Sequence, residues 1–137
     1  VNTTTRLFEY LTPLENIQAY SEIYNQKNNQ QLIQQLFRAF EMDEYLTDTK
    51  TTMDKLSTGQ NVKVHLIKAL MIEPKLLLLD EPTAYLDKKS KQHIMSILKK
   101  YKKQGSFSCI IISHSQSLLK ICDRVLTMRN GRLSTYA

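Results

Sequence analysis

Two adjacent carboxylates, Asp80 and Glu81, close the run Leu76-Leu77-Leu78-Leu79-Asp80-Glu81-Pro82. Four apolar residues in succession predict a buried parallel strand, and acids at its carboxyl end stand where open α/β sheets place their ligands. Asp80 can hold Mg²⁺ through water, because Mg²⁺ is hard and keeps much of its hydration. Glu81 can orient or deprotonate an attacking water. A second chemical feature is Leu56-Ser57-Thr58-Gly59-Gln60, which opens a helix. The first amides of a helix have no internal partner and its macrodipole makes that end positive. Gly59 removes the side chain that would hold a phosphate away, and Ser57 adds a hydroxyl, so an anion site results. The third feature is Ser113-His114-Ser115 after the apolar run Cys109 to Ile112. His114 is placed to bond a terminal phosphate or a reacting water. Each feature also has a plain structural reading: a charged turn, a capped helix, a structural histidine.

These groups need elements to position them. Thr12-Pro13-Leu14-Glu15 carries a capping serine-like hydroxyl, a proline suited to the first helical position and a Glu three residues on. Leu14, Ile17, Tyr20 and Tyr24 then fall on one helix face. A polar break from Asn25 to Gln30 precedes a second amphipathic helix with Leu32, Ile33, Leu36, Phe37 and Phe40. Ser57 and Gln60 form another capping pair, and the helix they start should end before Pro74. Lys75 to Leu79 and Cys109 to Ile112 are predicted as buried strands. Between them, Asp87 to Lys103 is a helix with Ile94, Ile97, Leu98 and Tyr101 inward, ended by Gly105. Ser115 starts a short helix. Val125 to Met128 is a third strand, and Asn130-Gly131 turns the chain back into Leu133. The first third is helical and the rest alternates helix and strand, which is an α/β core with a helical insertion.

The 137 residues suffice for one domain with a real core, and a hydrophobic share of 42% is ordinary for a globular chain. Val1 in place of Met points to a piece cut from a longer protein. The net charge of +6 suits any acidic partner, ATP included, and does not choose among them. Cys109 and Cys122 lack metal-ligand spacing and are expected as reduced, buried thiols. No apolar run is long enough for a membrane-spanning helix, so work at a membrane would require a partner to hold the chain there. The lysine-rich helix around Lys88 to Lys103 has no interleaved exposed aromatics and reads as a solvated face, so no nucleic acid is expected.

Order and spacing bind the three features together: the helix start lies about twenty residues before the acidic pair, and the histidine about thirty after it. The sequence resembles the nucleotide-binding domains of ATP-binding cassette (ABC) proteins. The matches are the signature peptide LSTGQ (Leu56 to Gln60), the Walker B strand LLLLDEP (Leu76 to Pro82), the D-loop aspartate Asp87 and the switch histidine His114. LTPLEN (Leu11 to Asn16) resembles the opening of the family's helical subdomain. Cys122 to Val125 and Arg129 to Arg132 resemble its C-terminal strand pair. The resemblance implies an α/β fold, part of a P-loop NTPase (RecA-like) core. Residues 1–73 would form a helical subdomain carrying the signature motif, and 74–137 the C-terminal part of the ATPase core. It further implies that Asp80 helps hold Mg²⁺, that Glu81 acts on the attacking water, and that His114 contacts the terminal phosphate. Ser57, Thr58, Gly59 and Gln60 would close over ATP held by a second nucleotide-binding domain in a head-to-tail dimer, with Asp87 coupling the two. A transmembrane transporter subunit is the implied membrane partner, with the cassette peripheral on the cytoplasmic face.

Some residues depart from the family pattern. No G-x-x-x-x-G-K-[ST] occurs, so the phosphate cradle and its lysine are missing, and the chain alone is expected to be inactive as an ATPase. The Q-loop glutamine is not evident, its place falling near Asn2 or Thr3. Tyr85 stands where the D-loop has a small residue, so an altered turn is expected. The leading function is an ATP-hydrolysing subunit of a transporter. The Thr in LSTGQ and the RLFEYLT opening resemble exporters of the ABC-2 type. The alternatives are a soluble cassette ATPase of translation or DNA maintenance, and a degenerate, non-catalytic interaction module. The short segment between Asn16 and Leu56 lacks heptads, against the DNA-repair class, and intact Glu81 and His114 argue against decay.

Overall fold

The computed structural model describes residues 7–26, 29–105 and 107–135. The place of the Q-loop glutamine, near Asn2 or Thr3, lies outside them.

Helix α1 (Pro13–Ile23) begins with the reciprocal bonds that its sequence predicts. Thr12 Oγ1 accepts from the Glu15 amide at 3.3 Å, and Glu15 Oε2 accepts from the Thr12 amide at 2.8 Å. Two otherwise orphaned donors are thereby answered. Asn16, fully buried one turn in, accepts from the Phe8 amide at 2.7 Å and donates to the Phe8 carbonyl at 3.0 Å, tying the entering chain to the helix. Helix α2 (Gln30–Ala39) buries Ile33, Leu36 and Phe37 and leaves its glutamines in solvent. Two short 3₁₀ turns, Asp43–Leu46 and Met53–Lys55, lead into α3 (Thr58–Leu70). Helix α3 packs against both α1 and α2.

After α3 the chain alternates: β1 (Leu76–Asp80), α4 (Lys88–Lys103), β2 (Ser108–Ile112), α5 (Gln116–Leu119). β1 and β2 pair in parallel, Leu76 opposite Ser108 through Asp80 opposite Ile112. β3 (Leu126–Arg129) and β4 (Arg132–Thr135) form a separate antiparallel hairpin. Its turn places Asn130 and Gly131 at φ of 48° and 74°, the left-handed pair that matches the twist of two-residue hairpins. Gly105, at φ 64°, ends α4 as expected.

One contiguous apolar cluster joins both parts of the chain, from Ile17, Leu36, Phe37 and Phe40 through Ile67 and Met71 to Leu77, Leu79, Ile94, Leu98 and Leu118. Each of the fully buried side chains contributes about 1.5–3 kcal/mol of transfer free energy. This cluster is what holds the strand ends against the signature helix.

The expectation of fully buried strands is corrected. Leu77 and Leu79 are buried, but Leu76, Leu78, Ile110 and Ile112 are 51%, 56%, 56% and 63% exposed. Successive strand side chains point to opposite faces, so one face of the two-stranded sheet is covered and the other is bare. Runs such as Leu-Leu-Leu-Leu and Cys-Ile-Ile-Ile encode two apolar faces, and among the described residues only one of them is covered. Cys109 is likewise an exposed free thiol at the edge of the sheet instead of a buried one, and Cys122 is half-buried.

Candidate functional site

The carboxyl ends of β1 and β2 bring two of the predicted groups together. Pairing continues one residue past β1, where the Glu81 amide donates to the Ile112 carbonyl at 2.9 Å. There the backbone of Glu81 turns left-handed, φ 43°, a conformation that costs an L residue on the order of 1 kcal/mol. The turn swings the carboxylate across to the loop after β2. Ser113 Oγ donates to Glu81 Oε2 at 2.9 Å, and the His114 amide donates to Oε1 at 3.0 Å. His114 Nε2 lies 3.7 Å from the same Oε1, while the rest of its ring is in solvent. Glu81 is thus a carboxylate held at fixed orientation, with an exposed imidazole beside it.

Asp80 ends β1 on the bare side of the sheet, sharing that face with Leu78 and Ile110. Its carboxylate makes no side-chain hydrogen bond among the described residues. No group of three or more His, Cys, Asp or Glu among them is arranged to enclose a metal ion.

The signature helix start is a complete capping box. Ser57 Oγ accepts from the Gln60 amide at 3.2 Å, and Gln60 Oε1 accepts from the Ser57 amide at 2.9 Å. Ser57 and Thr58 are exposed, and the amides of Thr58 and Gly59 are the open donors of the first turn. Gly59 has a second use. A Cβ there would stand 3.1 Å from Ser90 Oγ, so the missing side chain lets α4 approach α3.

Ser90 in turn belongs to the cap of α4. The Asp87 carboxylate accepts from the Ser90 amide at 3.0 Å and from the Ser90 hydroxyl at 2.7 Å. These bonds, the hydroxyl's first, hold the Asp87 carboxyl below its usual pKa. Between Glu81 and Asp87, Tyr85 has φ 61° and is 96% exposed, a left-handed aromatic residue in the turn.

An open groove of about 820 Å³ lies elsewhere, among Leu32, Arg38, Leu70, Pro74, Tyr101 and Phe107. Pro74 and Phe107 precede β1 and β2, which puts the groove at the amino ends of the strands, opposite the carboxylates. Ligand sites of such sheets lie at the other end.

A family model described as ABC transporter matches residues 1–84. The chain belongs to the ABC transporter family. The cassette is 32% identical over 130 residues to the uncharacterized ABC transporter ATP-binding protein YvrO of Bacillus subtilis (strain 168), a match covering 95% of this chain and 56% of YvrO. It is 38% identical over 105 residues to the nickel import ATP-binding protein NikE of Escherichia coli (strain K12), covering 73% of the chain and 39% of NikE. The chain therefore spans about half the length, or less, of these relatives. Among solved structures, the dimeric structure of MJ0796, a bacterial ABC transporter cassette, superposes with a TM-score of 0.79 at 23% identity, over 98% of this chain and 61% of that one. The ADP conformation of MJ1267 gives 0.74 at 22% identity, over 92% and 54%. The fold is that of the ABC ATPase cassette, a member of the P-loop NTPase class. One relative is named for import, so the export direction expected from the ABC-2-like opening finds no support in these likenesses.

Three residues that touch the candidate site groups escaped the sequence reading of roles: Ser113, Ser90 and Tyr45, whose phenol oxygen accepts from Gln60 Nε2 at 2.9 Å. Ser113 was visible as part of Ser113-His114-Ser115, but its partner Glu81 is 32 positions away. Ser90 reads locally as a capping partner of Asp87, and only the fold sets it against Gly59. Tyr45 carries no motif at all.

Proposed function

We propose that this chain is the signature and hydrolysis part of an ATP-hydrolysing cassette that couples ATP turnover to solute movement through a transmembrane partner. The observation that carries the proposal is the meeting of Glu81 with Ser113 and His114 at the strand ends. A carboxylate fixed by two donors is pre-set to accept from a water attacking the terminal phosphate, and positioning is most of what phosphoryl transfer asks of a protein. His114, exposed beside it, is the residue to contact that phosphate.

Asp80 fits the part of a Mg²⁺ holder: a hard oxygen donor, without a side-chain hydrogen bond among the described residues, at the same strand end. Mg²⁺ when bound supplies charge neutralisation on the phosphate oxygens. A single carboxylate suits an ion whose other ligands are phosphate oxygens and water.

In this reading Ser57, Thr58, Gly59 and Gln60 face a nucleotide held by a second cassette, and Asp87 lies at the same junction. The link from Gly59 through Ser90 to Asp87 supports this, because it makes the signature peptide and the D-loop one packed unit. Residues 1–73 would then move as the signature-bearing part and 74–137 as the remainder of the ATPase core. Docking on a transmembrane subunit would place the cassette at the membrane, since no helix among the described residues is long and apolar enough to cross it.

The experiment is phosphate release from MgATP by the purified chain. Turnover at the buffer rate is expected, because the residues that would cradle the phosphates are not in this sequence. Appreciable turnover abolished by Glu81→Gln would contradict the division of parts.

A further inference from the structure

The side chain of Gln60 is held at both ends. Its Oε1 accepts from the Ser57 amide at 2.9 Å, and its Nε2 donates to the phenol oxygen of Tyr45 at 2.9 Å. A terminal amide held by one end swings about a broad torsion. The Ser57 amide can only donate and so takes the oxygen, and the phenol, which can also accept, then holds the nitrogen and fixes the torsion. Tyr45 is itself buried, on the turn Asp43–Leu46 that packs against α1 and α2. Burial, with Glu44 adding to it, raises the phenol pKa and keeps the hydroxyl neutral.

Fixing Gln60 has a consequence at the helix start. With Oε1 on the Ser57 amide, Ser57 Oγ is committed as acceptor to the Gln60 amide. The hydrogen of the Ser57 hydroxyl is then left to donate outward, beside the open amides of Thr58 and Gly59. On the far side of the same peptide, Ser90 abuts Gly59. The peptide is gripped from the helical part through Tyr45 and from α4 through Ser90.

We infer that Tyr45 is a positioning residue for the signature peptide: through Gln60 it keeps the Ser57 hydroxyl and the first amides of α3 aimed together at a nucleotide phosphate. This rests on the function proposed above. The test is an amide NMR titration, with MgATP, of this chain joined to the part of YvrO outside the matched region, so that one copy holds the nucleotide that the helix start of another faces. In the wild type, ATP shifts the amides of Ser57, Thr58 and Gly59. Tyr45→Phe keeps the ring in the core, changes the Gln60 side-chain NH₂ resonances and weakens ATP binding about fivefold, the worth of one hydrogen bond. Gln60→Ala weakens it to a similar extent, and this variant leaves the buried ring untouched should Tyr45→Phe fail to fold. In the Gln60→Ala background Tyr45→Phe adds nothing, because the two act through one contact. Equal affinities of wild type and Tyr45→Phe, or an equal effect of Tyr45→Phe in both backgrounds, would overturn the inference alone. No ATP-induced shift at Ser57 to Gly59 in the wild type would overturn the phosphate-facing reading itself.

Discussion

Gly59 serves two purposes that a double substitution can separate. Glycine inside a helix costs about 0.5–1 kcal/mol relative to alanine, so Gly59→Ala should stabilise α3 by up to that amount. The new Cβ would lie 3.1 Å from Ser90 Oγ and 3.6 Å from Ser90 Cβ. The second contact is ordinary, whereas the first demands that the hydroxyl give way by a few tenths of an ångström. It is held by Asp87 at 2.7 Å, and losing that bond costs about 1 kcal/mol. Gain and loss nearly cancel, so Gly59→Ala alone should change stability by less than about 0.5 kcal/mol. With Ser90→Ala the hydroxyl is gone, and the same change should then stabilise by about 0.5–1 kcal/mol. The coupling between the positions is therefore about 1 kcal/mol. Urea denaturation of the wild type, both single variants and the double variant, with slopes compared, measures it. An identical effect of Gly59→Ala in both backgrounds would refute the packing argument. So would a loss beyond about 2 kcal/mol in the Ser90→Ala background. A glycine needed only for phosphate access would show no coupling to Ser90 in the absence of nucleotide.

Three further outcomes are expected. Desolvation, aided by nearby Lys68, pushes the His65 pKa down to about 4, and its Nδ1 has no hydrogen-bond partner among the described residues. The unfolded chain binds a proton near pH 6.5 that the folded chain refuses, so stability falls as pH drops from about 6.5 towards 4. Discounted for partial exposure, the loss is about 1–2 kcal/mol, and His65→Gln should flatten that part of the profile; an unchanged slope would count against it. Tyr85→Gly relieves a left-handed aromatic residue whose ring buries nothing, and should raise stability by about 0.5–1 kcal/mol in thermal melts; a lower Tm would show the ring has a partner. Leu78→Asn with Ile110→Asn should cost less than about 1 kcal/mol and reduce hydrophobic-dye binding, whereas a loss of core size would mean that the bare face is covered.

Local chemistry made much of this fold legible. The Thr12–Glu15 and Ser57–Gln60 boxes, the Gly105 stop and the Asn130-Gly131 turn involve residues within a few positions of one another, and each forms as its spacing demands. The strand positions were legible from apolar runs, but their burial was not. A run such as Leu76 to Leu79 states that both faces are apolar without stating what covers them. The site was legible as a set of residue types and illegible as a set of contacts. Glu81 with Ser113, Gln60 with Tyr45 and Gly59 with Ser90 are pairs made by tertiary packing, and no period or motif encodes them.

The most direct measurement is phosphate release by a chimera in which the part of YvrO outside the matched region is joined to this chain. With Glu81 intact, such a cassette should turn over MgATP. With Glu81→Gln it should still bind ATP, and turnover should fall by about 10²-fold or more, the contribution of a general base. Unchanged turnover in the Glu81→Gln chimera, or none in a folded chimera that binds ATP with Glu81 intact, would contradict the role given to the strand-end carboxylate.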